Sequence, residues 1–193
     1  MNNYLKKISF FLFVNTLFSC VTNKITDIKP IIDIEVNTKL NPELIKSRKA
    51  FSEKLTNPQY KLLKINLEKE LNTKIPEGKT ILINYRQKGR NCISLSLNNS
   101  DFSKFTNRGI QISSKISADN NTLDYFVYEE NAFYKNLYKK KQKFKLDSGF
   151  FYNNIFTLHE TCDAFFIIKS NGDFFKYYGG DYFSIVKTFL EKE

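Results

Sequence analysis

The stretch that most limits what this chain can become lies near its end. Ala164 to Ile168 is wholly apolar, Asn171-Gly172 follows after two residues, and Phe174 to Tyr178 returns as a second aromatic run. An Asn-Gly pair supplies the positive φ angles of a tight hairpin turn, so these runs are two antiparallel strands. A hairpin this apolar needs a larger sheet and helices to cover it. Gly179-Gly180 then breaks the chain, Asp181 stands as the N-cap of a final helix, and Tyr182, Ile185, Val186 and Phe189 form that helix's inner face. Upstream, the turn Pro76-Glu77-Gly78-Lys79 leads into Thr80-Ile81-Leu82-Ile83-Asn84-Tyr85. That run is too short for a helix and rich in β-branched residues, and it reads as a buried central strand.

The rest of the chain divides by similar signals. Asn41-Pro42 and Asn57-Pro58 each pair an N-cap residue with a proline at the first helical position. They predict a helical pair over residues 41–72, the first helix carrying Leu44, Phe51 and Leu55 on one stripe and the second Tyr60, Leu63, Leu67 and Leu71. Ile32, Ile34 and Val36 alternate as a short strand. After the polar segment Arg86 to Asn91, the run Cys92 to Leu97 stays ambiguous, because Ile93, Leu95 and Leu97 also fit a strand entered through a Lys88-Gly89 hairpin turn. Ser100 to Thr106 reads as helical or irregular. Ile110 to Ile116 and Leu123 to Tyr128 look like sheet members, and Asn131 to Lys141 reads as a helix through Phe133, Leu137 and Tyr138. This order places a mixed sheet between helices, an α/β sandwich.

The beginning of the chain has a different character. Lys6 and Lys7 precede an apolar run from Ile8 to Phe18, and the small Ser19 stands directly before Cys20. This is the layout of a secretion signal, and the apolar run is shorter than the roughly 20 residues that span a bilayer. Leu17-Phe18-Ser19-Cys20 resembles the lipobox of bacterial lipoproteins, although the position held by Phe18 is usually smaller. The resemblance implies cleavage after Ser19, a diacylglycerol on the thiol of Cys20, and a mature protein tethered on the extracytoplasmic, periplasmic side of the cell envelope. Residues 1–19 are then the signal, 20–40 a tether and 41–193 a single domain. Removing 19 of 193 residues leaves 174, enough for one core, and losing Lys6 and Lys7 lowers the formal charge from +10 to +8. A basic protein held at a lipid surface is drawn to anionic headgroups, so its lysine excess does not require nucleic acid.

The ending Ala164 to Gly180 resembles the final hairpin of thioredoxin-like extracytoplasmic thiol:disulfide oxidoreductases, and Gly78 to Tyr85 resembles the central strand that leads into their redox loop. The likeness implies a thioredoxin-like three-layer sandwich, here with an N-terminal helical extension. Active members carry a CxxC motif where a helix begins after that strand, so that the helix N-terminus lowers the first thiol's pKa. This chain has only Gly89-Arg90-Asn91-Cys92 there. It also has Thr161-Cys162-Asp163 where the family places a cis-proline, and no proline follows Pro76.

With Cys20 lipidated, Cys92 and Cys162 remain as an even pair in an oxidising compartment. If the fold is that of the resembled family, their two segments lie against each other. Three readings follow. The first is a degenerate member without the usual dithiol, acting as a binding module toward an exported client protein or through a single thiol. The second is an oxidoreductase in which Cys92 attacks a substrate disulfide and Cys162 resolves it, with His159 or Lys88 favouring the thiolate. The third gathers Cys92, Cys162 and His159 into a copper or zinc site, by partial likeness to thioredoxin-like copper chaperones. No cofactor is expected otherwise. The lysines at 135, 139, 140, 141, 143 and 145, with Tyr138 and Phe144 between them, form the densest basic patch, and a solvated helix end accounts for them.

Overall fold

The structure, a computed structural model, describes residues 35–192. The expected secretion signal, Cys20 and most of the expected tether, with Ile32 and Ile34, lie outside the described residues. Val36 belongs to no strand.

Asn41 caps the short helix α1 (Pro42–Ser47) by accepting the backbone N–H of Leu44 through its side chain. The helix ends at once, and the chain runs extended as β1 (Lys49–Lys54). The predicted helical pair is therefore helix, strand, helix. Phe51 sits on β1, where its ring meets Tyr178 edge-on, and Leu55 lies beyond the strand. The apolar stripe failed because α1 buries only Leu44 and Ser47 before the chain pairs with a sheet edge. The cap of α2 (Asn57–Glu70) is Thr56 rather than Asn57: the side chain of Gln59 accepts the backbone N–H of Thr56. The inner face of α2 buries Leu67, and Leu71 follows it into the core.

Six strands form one mixed sheet in the order β1, β6, β5, β2, β3, β4. At its centre β2 (Thr80–Arg86) runs parallel to β3 (Thr122–Tyr128) and antiparallel to β5 (Asp163–Ile168). The hairpin predicted at Asn171-Gly172 joins β5 to β6 (Asp173–Tyr178), and β1 and the short β4 (Phe144–Leu146) close the two edges. Alternation along β2 divides the core in two. Ile81, Ile83 and Tyr85 pack with Leu67, Leu71, Phe151 and Phe156 on one face, while Leu82 packs with Phe165, Ile167 and Val186 on the other. Helices thus cover both faces, as in a three-layer α/β arrangement.

Two of the sheet expectations divide. Leu123 to Tyr128 is β3, but Ile110 to Ile116 belongs to the long helix α3 (Asn99–Asp119). The buried residues of α3 are Phe102, Thr106, Ser113 and Ser117, so its inner stripe is mostly hydroxylic and leaves little apolar periodicity to read. Residues 93–96 form a 3₁₀ turn rather than a strand. The helix expected over 131–141 shortens to α4 (Lys135–Lys139), and residues 151–155 form a π-helical turn. Helix α5 (Phe183–Glu191) begins after Tyr182 without a side-chain cap. Asp181 instead pairs with Arg48 and accepts the hydroxyl of Tyr177.

Candidate functional site

Residues 87–97, leaving β2, and residues 157–162, entering β5, meet at one end of the sheet. Gln87 binds them together. Its backbone N–H donates to the carbonyl of Cys162, and its side-chain amide donates to the carbonyls of Leu158 and Thr161 at 2.8 Å each. At Gly89 the two backbones run too close for a side chain, since a Cβ there would stand 2.4 Å from the carbonyl carbon of Thr161. Asn91 then bridges to Thr161, its N–H donating to Glu160 O while its carbonyl accepts from Cys162 N. These contacts consume the polar groups that a Lys88-Gly89 hairpin would have turned back on its own strand.

This lacing brings Cys92 and Cys162 together as a disulfide, with their Cα atoms 5.2 Å apart. Both residues are nearly enclosed, at 1% and 5% exposure. The hydroxyl of Ser94 lies 3.3 Å from the sulfur of Cys92 and 3.7 Å from that of Cys162. Oδ2 of Asp163 lies 3.4 Å from the sulfur of Cys162. A bonded sulfur carries no proton, so this last contact becomes a hydrogen bond only on reduction, when the thiol donates to the carboxylate.

Asp163 is held in turn by Arg86, its partner across the β2–β5 ladder, in a buried ion pair. Burial opposes the charge of Arg86, but Asp163 and the surrounding tyrosines outweigh it and raise its pKa above the ordinary arginine range. Above the disulfide opens a cleft of about 600 Å³, whose walls include Leu40, Leu44, Ile93 and Phe105 and whose floor includes Cys162 and Asp163. Leu40, Ile93 and Phe105 are exposed.

His159 goes elsewhere. Its ring stacks on Tyr152 with centroids 3.9 Å apart, and its Nδ1 lies 3.1 Å from the side-chain oxygen of Gln87, an acceptor to which the ring N–H donates. Burial pushes its pKa down, and Glu129 pulls the other way. Among the described residues no three His, Cys, Asp or Glu side chains gather as metal ligands, and the bond between Cys92 and Cys162 occupies both candidate thiolates. The metal triad is therefore not assembled. Lys88 is exposed and donates its backbone N–H to Glu129. Several lysines of the basic patch are also engaged: Lys135 pairs with Glu130, Lys143 with Asp124, and Lys145 donates to the carbonyl of Leu71. Gln87, Arg86, Asp163 and Ser94 were not singled out from the sequence. The one available signal was their closeness in the chain to the two cysteines.

Comparison with protein-family models, with curated proteins and with solved structures finds no match to this chain. No helix among the described residues is long and apolar enough to cross a membrane.

Proposed function

We propose that this chain is a lipid-anchored, extracytoplasmic thioredoxin-like protein in which Cys92 and Cys162 are a relocated dithiol–disulfide pair. The observation that carries this reading is the bond itself, which joins the loop after the central strand to the residue preceding β5. In the resembled family the redox loop faces that second segment, and a bond joining the same two segments supports a pair that stands in for the family's dithiol although neither CxxC nor cis-proline is present. The strand order β3, β2, β5, β6, with β2 parallel to β3 and the hairpin antiparallel, supports the same assignment. In exchange, a thiolate attacks the sulfur of Cys92, the sulfur of Cys162 leaves with the electron pair of the broken bond and takes up the proton that the attacking thiol has lost, and the thiol so formed donates a hydrogen bond to the carboxylate of Asp163. The neighbouring cleft accepts an extended apolar segment of an exported client.

The binding-module reading also has an observation in its favour, the near-complete enclosure of both sulfurs. There the disulfide is a brace for the cleft. The two readings separate by redox titration of the full chain in detergent, followed by alkylation and mass spectrometry across a glutathione series. Equilibration between roughly −120 and −270 mV, the span of catalytic dithiols, supports exchange; a potential below about −300 mV assigns a structural brace. The anchor is tested separately by incorporation of labelled palmitate, expected in the wild type and lost in Cys20→Ser.

A further inference from the structure

Residues 36–41 cross the loop that carries Cys92 and pair with it like a strand. The N–H of Asn37 donates to the carbonyl of Arg90 at 2.8 Å, and the N–H of Cys92 donates to the carbonyl of Asn37 at 2.9 Å. Asn37, Asn91 and Thr161 thus stand side by side through two parallel bridges, with Asn37 on the outside. Side chains reinforce the pairing: the amide of Asn37 donates to Asn91 and Asn41, and the amide of Asn41 returns a bond to Asn37. Leu40 and Leu44 continue from this segment into one wall of the cleft over Cys162.

We infer that residues 36–41 are a strap that closes the disulfide and must lift before an external thiol reaches it. The inference rests on the redox reading above and explains how a pair so enclosed takes part in exchange. The pairing is local and made at one edge, with Leu40 exposed and no strand element beyond the single bridge, so it opens at less cost than the sheet beneath. With the strap lifted, the thiolate of a dithiol reductant attacks Cys92. The Cys92–Cys162 bond breaks, its electron pair goes to the sulfur of Cys162, and that sulfur takes up the proton the attacking thiol has lost. The reductant's second thiol then attacks the mixed disulfide, leaving the reductant oxidised and both protein cysteines as thiols.

The test is the second-order rate of reduction by dithiothreitol in the full chain, followed by alkylation of Cys92 and Cys162 at the peptide level. Asn37→Pro deletes the N–H that Arg90 accepts. It is expected to raise the rate at least tenfold, while the equilibrium constant with glutathione stays within about twofold. Thr56→Ala, which disturbs the distant cap of α2, is expected to leave the rate unchanged. An unchanged rate in Asn37→Pro overturns the strap, as does an equal acceleration in Thr56→Ala, which reports general loosening. If Asn37→Pro does not fold, Asn37→Ala with Asn41→Ala removes the side-chain lacing and is read by the same rate. The glutathione equilibrium reads the redox assignment separately, so a very stable disulfide that is nonetheless reduced faster without the strap sinks the function and leaves the strap standing.

Discussion

Arg86 and Asp163 face each other across the last rung of the β2–β5 ladder, and their side chains form an ion pair buried beside the disulfide. A buried pair adds little net stability, because desolvation cancels much of the attraction, but removing one partner strands a charge. Arg86→Met is therefore expected to cost about 3–5 kcal/mol in urea unfolding, and the double variant Arg86→Met/Asp163→Leu to recover most of it. A double variant that regains stability but is reduced by dithiothreitol more slowly than the wild type would assign the carboxylate a role toward Cys162 besides its role in the fold. A double variant as unstable as the single one would mean that the pair's hydrogen bonds, not its charges, hold this end of the sheet.

Asn84 is the polar residue at the centre of the sheet, and each of its side-chain groups is used. The amide donates to Ser113 of α3 and to the carbonyl of Tyr125, while its oxygen accepts the hydroxyl of Tyr182 at 2.7 Å. One side chain thereby fixes α3 and the start of α5 against β2. Asn84→Leu leaves the buried hydroxyls of Tyr182 and Ser113 without these partners and is expected to destabilise by about 2–6 kcal/mol, from about 1–3 for each of the two unsatisfied groups. Pairing it with Tyr182→Phe should return part of the loss, read from the urea midpoint. If it returns none, the packing volume of leucine rather than the hydrogen bonding sets the cost.

How far the fold could be read in advance follows from which residues face inward. The β5–β6 hairpin and β2 were legible because both of their faces are apolar and Asn171-Gly172 fixes the turn. Helix α3 was not, since Thr106, Ser113 and Ser117 line its buried side and two of its apolar residues, Ile110 and Ile116, pack only in part. The exposed strand β1 carries no burial pattern at all, so a helical stripe through Phe51 looked equally good. The two cysteines were visible as a candidate pair, but their meeting depends on Gln87 and Gly89, which act through contacts with the backbone of Leu158, Thr161 and Cys162, far off in the chain. His159 looked like a ligand because of its place before Cys162, and its ring turns instead to Tyr152.

His159 gives the stability a pH dependence with a definite sign. Burial lowers its folded-state pKa below the unfolded value near 6.5, so the unfolded chain binds the extra proton first. Its contribution is steady at alkaline pH, declines as the pH falls through the unfolded pKa, and levels off below the folded one. The urea midpoint should therefore drop modestly between pH 8 and pH 5.5, and His159→Gln should flatten that slope. An equal slope in the variant would assign the dependence to other groups.

Gly89 tests whether packing or the covalent bond holds the two loops together. A Cβ at this position would lie 2.6 Å from the carbonyl oxygen of Thr161 and 2.8 Å from the nitrogen of Cys162, both backbone atoms that no rotamer change can move aside. Gly89→Ala must push the segments apart, straining the bond from Gln87 to Cys162, and about 1–3 kcal/mol is the usual scale for such overpacking. The disulfide closes a separation of 70 residues, for which the chain-entropy model gives about 4 kcal/mol. Cys92→Ser/Cys162→Ser should lose roughly that amount. Adding Gly89→Ala to the serine pair should cost as much again as it does in the wild type, because the clash is with backbone held by Gln87. A neutral effect in the serine background would mean that the loops separate once the bond is gone, and that the disulfide alone assembles the site.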